Sequence, residues 1–155
     1  MRLKPRLSPV HLRRSLGLFA AYALVACAGV AQAASFTMFR DPGCAWAQHV
    51  EGDEAHEVER VDHPDMGAIK TKHGVPDDLW SCHTLLADGY VIEGHVPRAD
   101  IERLLRERPE GVTGLAVAGM PLGSPGMEAG DRRQPYQVIA FGPAGRSVWA
   151  SYPAK

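Results

Sequence analysis

The sequence is 155 residues long and carries 17 Lys and Arg, 18 Asp and Glu and three Cys. Five of the basic residues and none of the acids lie within residues 1–33, so the rest of the chain has 12 basic and 18 acidic residues, a net charge of −6. An acidic domain without a basic surface stripe repels phosphate backbones, which argues against nucleic acid as a partner.

Residues 1–33 have the three parts of a secretory signal. A basic start precedes an apolar run from Leu16 to Val30, and Ala31-Gln32-Ala33 form a small-residue cleavage site. The run has about 15 residues, fewer than the ~20 of a spanning helix. We therefore predict a signal peptide over 1–33, which sends a single domain, 34–155, to the periplasm. Leu24 to Cys27 also fits a lipobox, so lipidation at Cys27 is the alternative. Without that lipidation we expect no membrane attachment.

The remaining chain alternates between strand and helix patterns, with turn residues bounding the strands and capping residues bounding the helices. The predicted strands are Phe36–Arg40, His56–Asp62, Cys82–Ala87, Tyr90–Val96, Tyr136–Phe141 and Ser147–Tyr152, and the predicted helices cover about 41–51, 64–73 and 97–108. Asp88-Gly89, between two apolar runs, is a strong hairpin signal. The order β-α-β-α-β-β-α with a C-terminal β-hairpin extension predicts an α/β fold of the thioredoxin-like type.

Two cysteines, Cys44 and Cys82, remain in the predicted mature domain. In a thioredoxin-like arrangement they would meet, because the start of the first helix lies beside the start of the third strand. Cys44 falls in the first helical turn, where free N–H groups and the helix dipole favour the thiolate. Such a pair can bind a metal, cycle between dithiol and disulfide, or form a structural disulfide. The spacing alone leaves these alternatives open.

Further donors follow along the chain. His83 adjoins Cys82, although strand alternation would point it to the opposite face of the sheet, and His95 ends a predicted strand. Met120 and Met127 lie in a Gly- and Pro-rich connection of about 17 residues, longer than most loops. Their thioethers are soft donors suited to Cu(I). The candidate metal ligands are Cys44, Cys82, Met127, Met120 and His83.

Common enzyme signatures are missing from the sequence. It contains no Gly-x-Ser-x-Gly, no His-Glu-x-x-His and no phosphate-binding glycine loop. The sequence therefore favours a metal-binding protein over an enzyme.

Three strings carry a resemblance to a known family. Residues 81–84 read Ser-Cys-His-Thr, residues 88–97 read Asp-Gly-Tyr-Val-Ile-Glu-Gly-His-Val-Pro, and residues 119–128 read Gly-Met-Pro-Leu-Gly-Ser-Pro-Gly-Met-Glu. The chain resembles the periplasmic copper-resistance CopG-type metal-binding family over nearly all of its mature part. The resemblance implies a thioredoxin-like fold in which clustered cysteines bind copper as Cu(I) in copper tolerance.

One segment departs from the family pattern. The family has Cys-x-Cys-Cys before Trp-x-x-His, whereas only Cys44 precedes Trp46 and His49 here. We therefore expect a weakened site that holds about one Cu(I) instead of a multinuclear cluster. Two other functions stay open: a thiol–disulfide redox protein that uses a Cys44/Cys82 pair, and a degenerate member that keeps the fold as an interaction module.

Overall fold

The computed structural model describes residues 36–43 and 58–155. Their elements are β1 (Phe36–Arg40), β2 (Val58–Asp62), α1 (Met66–Lys72), a 3-10 turn (Asp77–Leu79), β3 (His83–Ala87), β4 (Tyr90–Glu93), α2 (Arg98–Glu107), β5 (Gly114–Ala116), β6 (Tyr136–Gly142) and β7 (Gly145–Tyr152). The predicted signal peptide, and the predicted helix over 41–51 beyond residue 43, lie outside the described residues.

The strands pair in one mixed sheet, in the order β2-β1-β3-β4-β5-β6-β7. β1 and β2 are parallel, as are β4 and β5, and the other neighbours are antiparallel. α2 makes the crossover that the parallel pair β4–β5 requires. The α/β class and the C-terminal hairpin are therefore confirmed. The thioredoxin-like topology stays a prediction, because the segment that joins β1 to β2 lies mostly outside the described residues.

β5 is a strand that no pattern in the sequence predicts. Gly114–Ala116 is three residues long and buried throughout. It is too short to show the alternation of apolar and polar residues by which a strand is recognised. α1 begins two residues later than predicted, because Asp65 caps it by accepting a hydrogen bond from the Ala68 N–H at 2.9 Å. This cap sets where the helix can start.

The β3–β4 hairpin turns at Asp88-Gly89, where φ is +48° and +87°. Two positive φ values are the requirement of a type I′ turn. The turn fixes the register, in which Thr84 pairs with Glu93. Both strands are shorter than predicted, and Cys82 lies just before β3 while residues 94–96 lie beyond β4. We call this part of the molecule, Cys82 with residues 94–96, the open end of the hairpin.

The core fixes the hairpin between β1 and β5. Its most deeply buried apolar side chains come from the sheet and from α2, and they include Met38, Ile92, Leu104, Leu115 and Val138. Burying such a side chain stabilises the fold by roughly 1.5–3 kcal/mol. In the described part of the chain, no helix is long and apolar enough to span a membrane.

Candidate metal centre

Three metal donors converge at the open end of the β3–β4 hairpin. One donor atom each from Cys82, His83 and His95 lies within 4.8 Å of the others. The Cys82 Sγ is 3.2 Å from His83 Nδ1 and 3.6 Å from His95 Nε2. Ligands of one tetrahedral ion, each ~2.0–2.3 Å from the metal, lie roughly 3.5 Å apart. These residues, which we call the donor cluster, therefore have the spacing of ligands that share one ion.

The register of the hairpin explains the convergence. Extending the Thr84–Glu93 pair by two positions sets Cys82 opposite His95, and the Gly94 N–H continues the pairing by donating to the His83 carbonyl at 3.1 Å. The predicted separation of His83 from Cys82 by strand alternation is not observed. Alternation holds within a strand, and Cys82 lies in a bend before β3.

Gly94 allows three segments to meet at this end of the sheet. Its φ is +69°, and a Cβ at this position would lie 2.6 Å from both the Ser81 Cβ and the Val117 carbonyl oxygen. Contacts this short between non-bonded atoms do not occur without a shift of the backbone. Gly94 is thus required by its close neighbours as well as by its φ.

His95 is held by a second contact that selects its tautomer. Its Nδ1 lies 2.8 Å from the Pro125 carbonyl oxygen, and its side chain is fully buried. Because a carbonyl can only accept, Nδ1 carries the proton and Nε2 presents its lone pair toward Cys82. Histidines that bind metals commonly donate their other ring N–H in this way.

Burial favours the neutral form of both imidazoles. Burial, followed by the charges of His95 and Lys70, lowers the pKa of His83 to about 3, against an opposing backbone hydrogen bond. Burial also lowers the pKa of His95, although its own hydrogen bond and the charge of Glu128 act in the other direction. A histidine must lose its proton before it can bind a metal, so burial favours the form of both rings that binds.

The loop over 119–128 reaches this site through Pro125. Within it the Met127 N–H donates to Ser124 O at 2.8 Å, and the Met127 carbonyl accepts from Gly123 N at 2.7 Å. Met127 is half-buried, whereas the Met120 side chain is 56% exposed. Their roles as thioether ligands stay predictions.

The predicted ligands have different outcomes. Cys82 and His83 lie together in the donor cluster, while Cys44 lies outside the described residues. His95 was not among the predicted ligands, although it belongs to the cluster. The Asp88-Gly89 turn carries the signal that would have found it, because a two-residue turn there fixes which residues of the two strands face each other.

Comparison with solved structures gives two close relatives. "Copper resistance protein copG- Form 2" is 42% identical, with a TM-score of 0.71, and the match covers 79% of this chain and 100% of that one. "Copper resistance protein copG- Form 1" is 43% identical, with a TM-score of 0.69, over 77% and 97% of the two chains. This chain belongs to the CopG copper-resistance family.

A family model described as "Protein of unknown function, DUF411" matches residues 79–127. That range contains the whole donor cluster and both methionines of the loop, and Cys44 precedes it. A search of curated proteins found no match. The resemblance stated from the sequence is therefore confirmed at the level of the family.

Proposed function

We propose that this CopG-family protein binds copper as Cu(I) in the periplasm and acts in copper resistance. The observation that carries the proposal is the convergence of the Cys82 thiol with the neutral imidazoles of His83 and His95. Soft sulfur donors select Cu(I), and imidazole is a common copper ligand. The names of the two solved relatives support a role in copper resistance.

The number of sulfur donors limits how much copper the site can hold. A cluster of several Cu(I) ions needs several bridging thiolates to offset the positive charge, whereas the predicted mature chain has only Cys44 and Cys82. One thiolate with two neutral imidazoles already neutralises and coordinates one Cu(I). We therefore propose about one Cu(I) per chain, with Cys82, His83 and His95 as ligands and Cys44 as a second thiolate.

Anaerobic titration of the reduced, periplasm-purified protein with Cu(I), against a competing chelator, tests this proposal. We expect one tightly bound ion, lost in Cys82→Ser and strongly weakened in His95→Ala. The control is His63→Ala, which removes a half-buried imidazole outside the donor cluster. Tight binding of three or four ions would contradict the one-ion site. No binding with both thiols reduced would leave the redox protein and the interaction module as the remaining functions.

Export is a separate part of the proposal. The intact mass of the periplasmic protein is expected to match a chain that begins at Ala34. A mass for a chain that begins at an acylated Cys27 would show that the lipoprotein alternative is right.

A further inference from the structure

A buried ion pair lies directly beside the donor cluster. Lys70 of α1 and Glu93 of β4 are 2% and 0% exposed, and Lys70 Nζ lies 2.5 Å from Glu93 Oε1. Removing two charges from water is costly, and replacing such a pair by apolar residues is often neutral or even stabilising. Stability of the fold alone therefore gives little reason for a pair at this position.

The Glu93 carboxylate holds the chain on both sides of the Cys82-His83 dipeptide. Its Oε1 accepts the Ser81 N–H at 2.6 Å, and its Oε2 accepts the Thr84 hydroxyl at 2.7 Å. A single carboxylate thus binds the residue before the two donors and the residue after them. Its two oxygens cannot move independently, so these contacts fix the segment 81–84 relative to β4.

Lys70 fixes the orientation of that carboxylate. Besides its contact with Glu93, its Nζ donates to the Thr84 Oγ1 at 3.1 Å. The Thr84 hydroxyl consequently directs its own proton to Glu93, and the three side chains form a closed set of hydrogen bonds. Charge-assisted hydrogen bonds of this kind are short and directional, so the set restrains β3, β4 and α1 at one point.

We propose that Lys70 and Glu93 are positioning residues for the metal site. They hold Cys82 and His83 at the distances from His95 that one ion requires, before the ion arrives. This inference rests on the proposed copper-binding function. It identifies two residues that do not bind the ion but hold the residues that do. Donors that are already in place reduce the ordering cost of binding, and loss of an outer-shell partner typically weakens metal binding about 10- to 100-fold.

Two variants separate positioning from the burial of an unpaired charge. Glu93→Gln leaves Lys70 charged and removes one of the two acceptor oxygens. Lys70→Met/Glu93→Gln leaves no buried charge, but the amide still cannot accept on both sides of the dipeptide. We expect Cu(I) affinity to fall about 10- to 100-fold in both. The matched control is Asp100→Asn, because Asp100 is also buried and hydrogen-bonded, at 2.6 Å to the Tyr152 hydroxyl, but it joins α2 to β7.

Two further readouts distinguish a local effect from a general loss of stability. In the double variant we expect an altered absorption spectrum of the Co(II)-substituted protein, and shifted ring ¹⁵N resonances of His83 and His95 in the reduced, metal-free protein. Both are expected to match the wild type in Asp100→Asn. A folded double variant with wild-type Cu(I) affinity, Co(II) spectrum and histidine resonances would overturn the proposal.

The metal-free measurement also keeps the two proposals distinguishable. If the wild-type protein does not retain Cu(I), the proposed function fails. The histidine resonances of the same variants still show whether Lys70 and Glu93 position the donors.

Discussion

The two hairpins of the described chain are built alike but are used differently. Both reverse direction in two residues, at Asp88-Gly89 and at Pro143-Ala144. The β3–β4 hairpin lies between β1 and β5, so each of its two strands has a second neighbour in the sheet. Most of its residues are buried. The β6–β7 hairpin ends the sheet, and the first four residues of β7 are exposed.

The ends of the two hairpins opposite their turns hold different side chains. The β6–β7 end has Tyr136 stacked on Tyr152, with centroids 4.7 Å apart, and the Tyr152 hydroxyl donates to Asp100 at 2.6 Å. Both tyrosines are half-buried. The β3–β4 end instead buries two imidazoles and an ion pair almost completely. The central hairpin therefore keeps its donor side chains away from water more completely than the edge hairpin does.

Removing one partner of each buried polar contact is the strongest test of this contrast. Lys70→Met leaves the Glu93 carboxylate buried without a cation, and we expect a loss of about 3–5 kcal/mol in the free energy of unfolding. Tyr152→Phe removes a single hydrogen bond to the buried Asp100 carboxylate and is expected to cost about 1.5–3 kcal/mol. Urea unfolding of the reduced, metal-free proteins measures both. Equal losses would show that the two hairpin ends are energetically alike.

Glycine at the open end gives the next largest effect. Gly94→Ala places a Cβ 2.6 Å from the Val117 carbonyl at a φ of +69°, so overpacking and backbone strain together are expected to cost about 3 kcal/mol. Gly130 is the matched control, because its φ is +62° and a Cβ there would meet nothing within 4 Å. Gly130→Ala carries only the strain, about 1 kcal/mol. We expect copper affinity to fall in the first variant alone, and a similar fall in both would contradict the role given to the close contacts.

Local sequence signals predicted the parts of the fold that depend on neighbouring residues. The pattern over Phe36–Arg40 predicted β1 with its observed bounds, and Asp88-Gly89 predicted the central hairpin. The same turn also determines that Cys82 faces His95, but this follows only when the register is extended beyond the last paired residues. The position of His95 in its own strand gives no such signal, so His95 was not among the predicted ligands.

Contacts between distant segments decided what the sequence could not show. Lys70 lies in a short helix, and lysine side chains are almost never fully buried unless they are paired. Its burial depends on Thr84 and Glu93, which are 14 and 23 residues further along the chain. β5 is likewise defined by pairing with β4 and β6, since three residues carry no periodicity of their own.

Acid and alkali are expected to act on different hairpins. The pKa of His83 falls to about 3 in the folded protein, against about 6.5 when unfolded. The unfolded chain therefore binds more protons than the folded protein below pH 6.5. The stability that His83 contributes to the metal-free protein is complete above that pH and declines as pH falls toward 3. The slope from one such group is at most about 1.4 kcal/mol per pH unit.

The tyrosines have the opposite sign. Burial, followed by the hydrogen bond to Asp100, raises the pKa of Tyr152, and burial raises the pKa of Tyr136. Their contribution is complete below pH 10 and is lost as pH rises above it. Urea unfolding across the pH range measures both limbs. We expect Tyr152→Phe to flatten the alkaline limb and to leave the acid limb unchanged, and a change in the acid limb would show that the two ends are coupled.

The smallest effect concerns the loop beside the central hairpin. Met127 is half-buried and lies two residues after Pro125, whose carbonyl oxygen contacts His95. Met120 is largely exposed. Met→Leu nearly conserves volume, so each substitution is expected to cost less than about 1.5 kcal/mol of stability, and a change in affinity would report the thioether itself. A neutral sulfur that assists a thiolate adds less than the thiolate, so we expect Met127→Leu to weaken Cu(I) binding less than about tenfold, or ~1.4 kcal/mol. Met120→Leu is expected to match the wild type in a chelator competition at fixed pH.

If both variants bind as the wild type does, the thioethers are not ligands and the site is completed by the cysteines and histidines. A loss in Met127→Leu as large as that in Cys82→Ser would instead make the loop, and not the hairpin end, the main determinant of copper affinity.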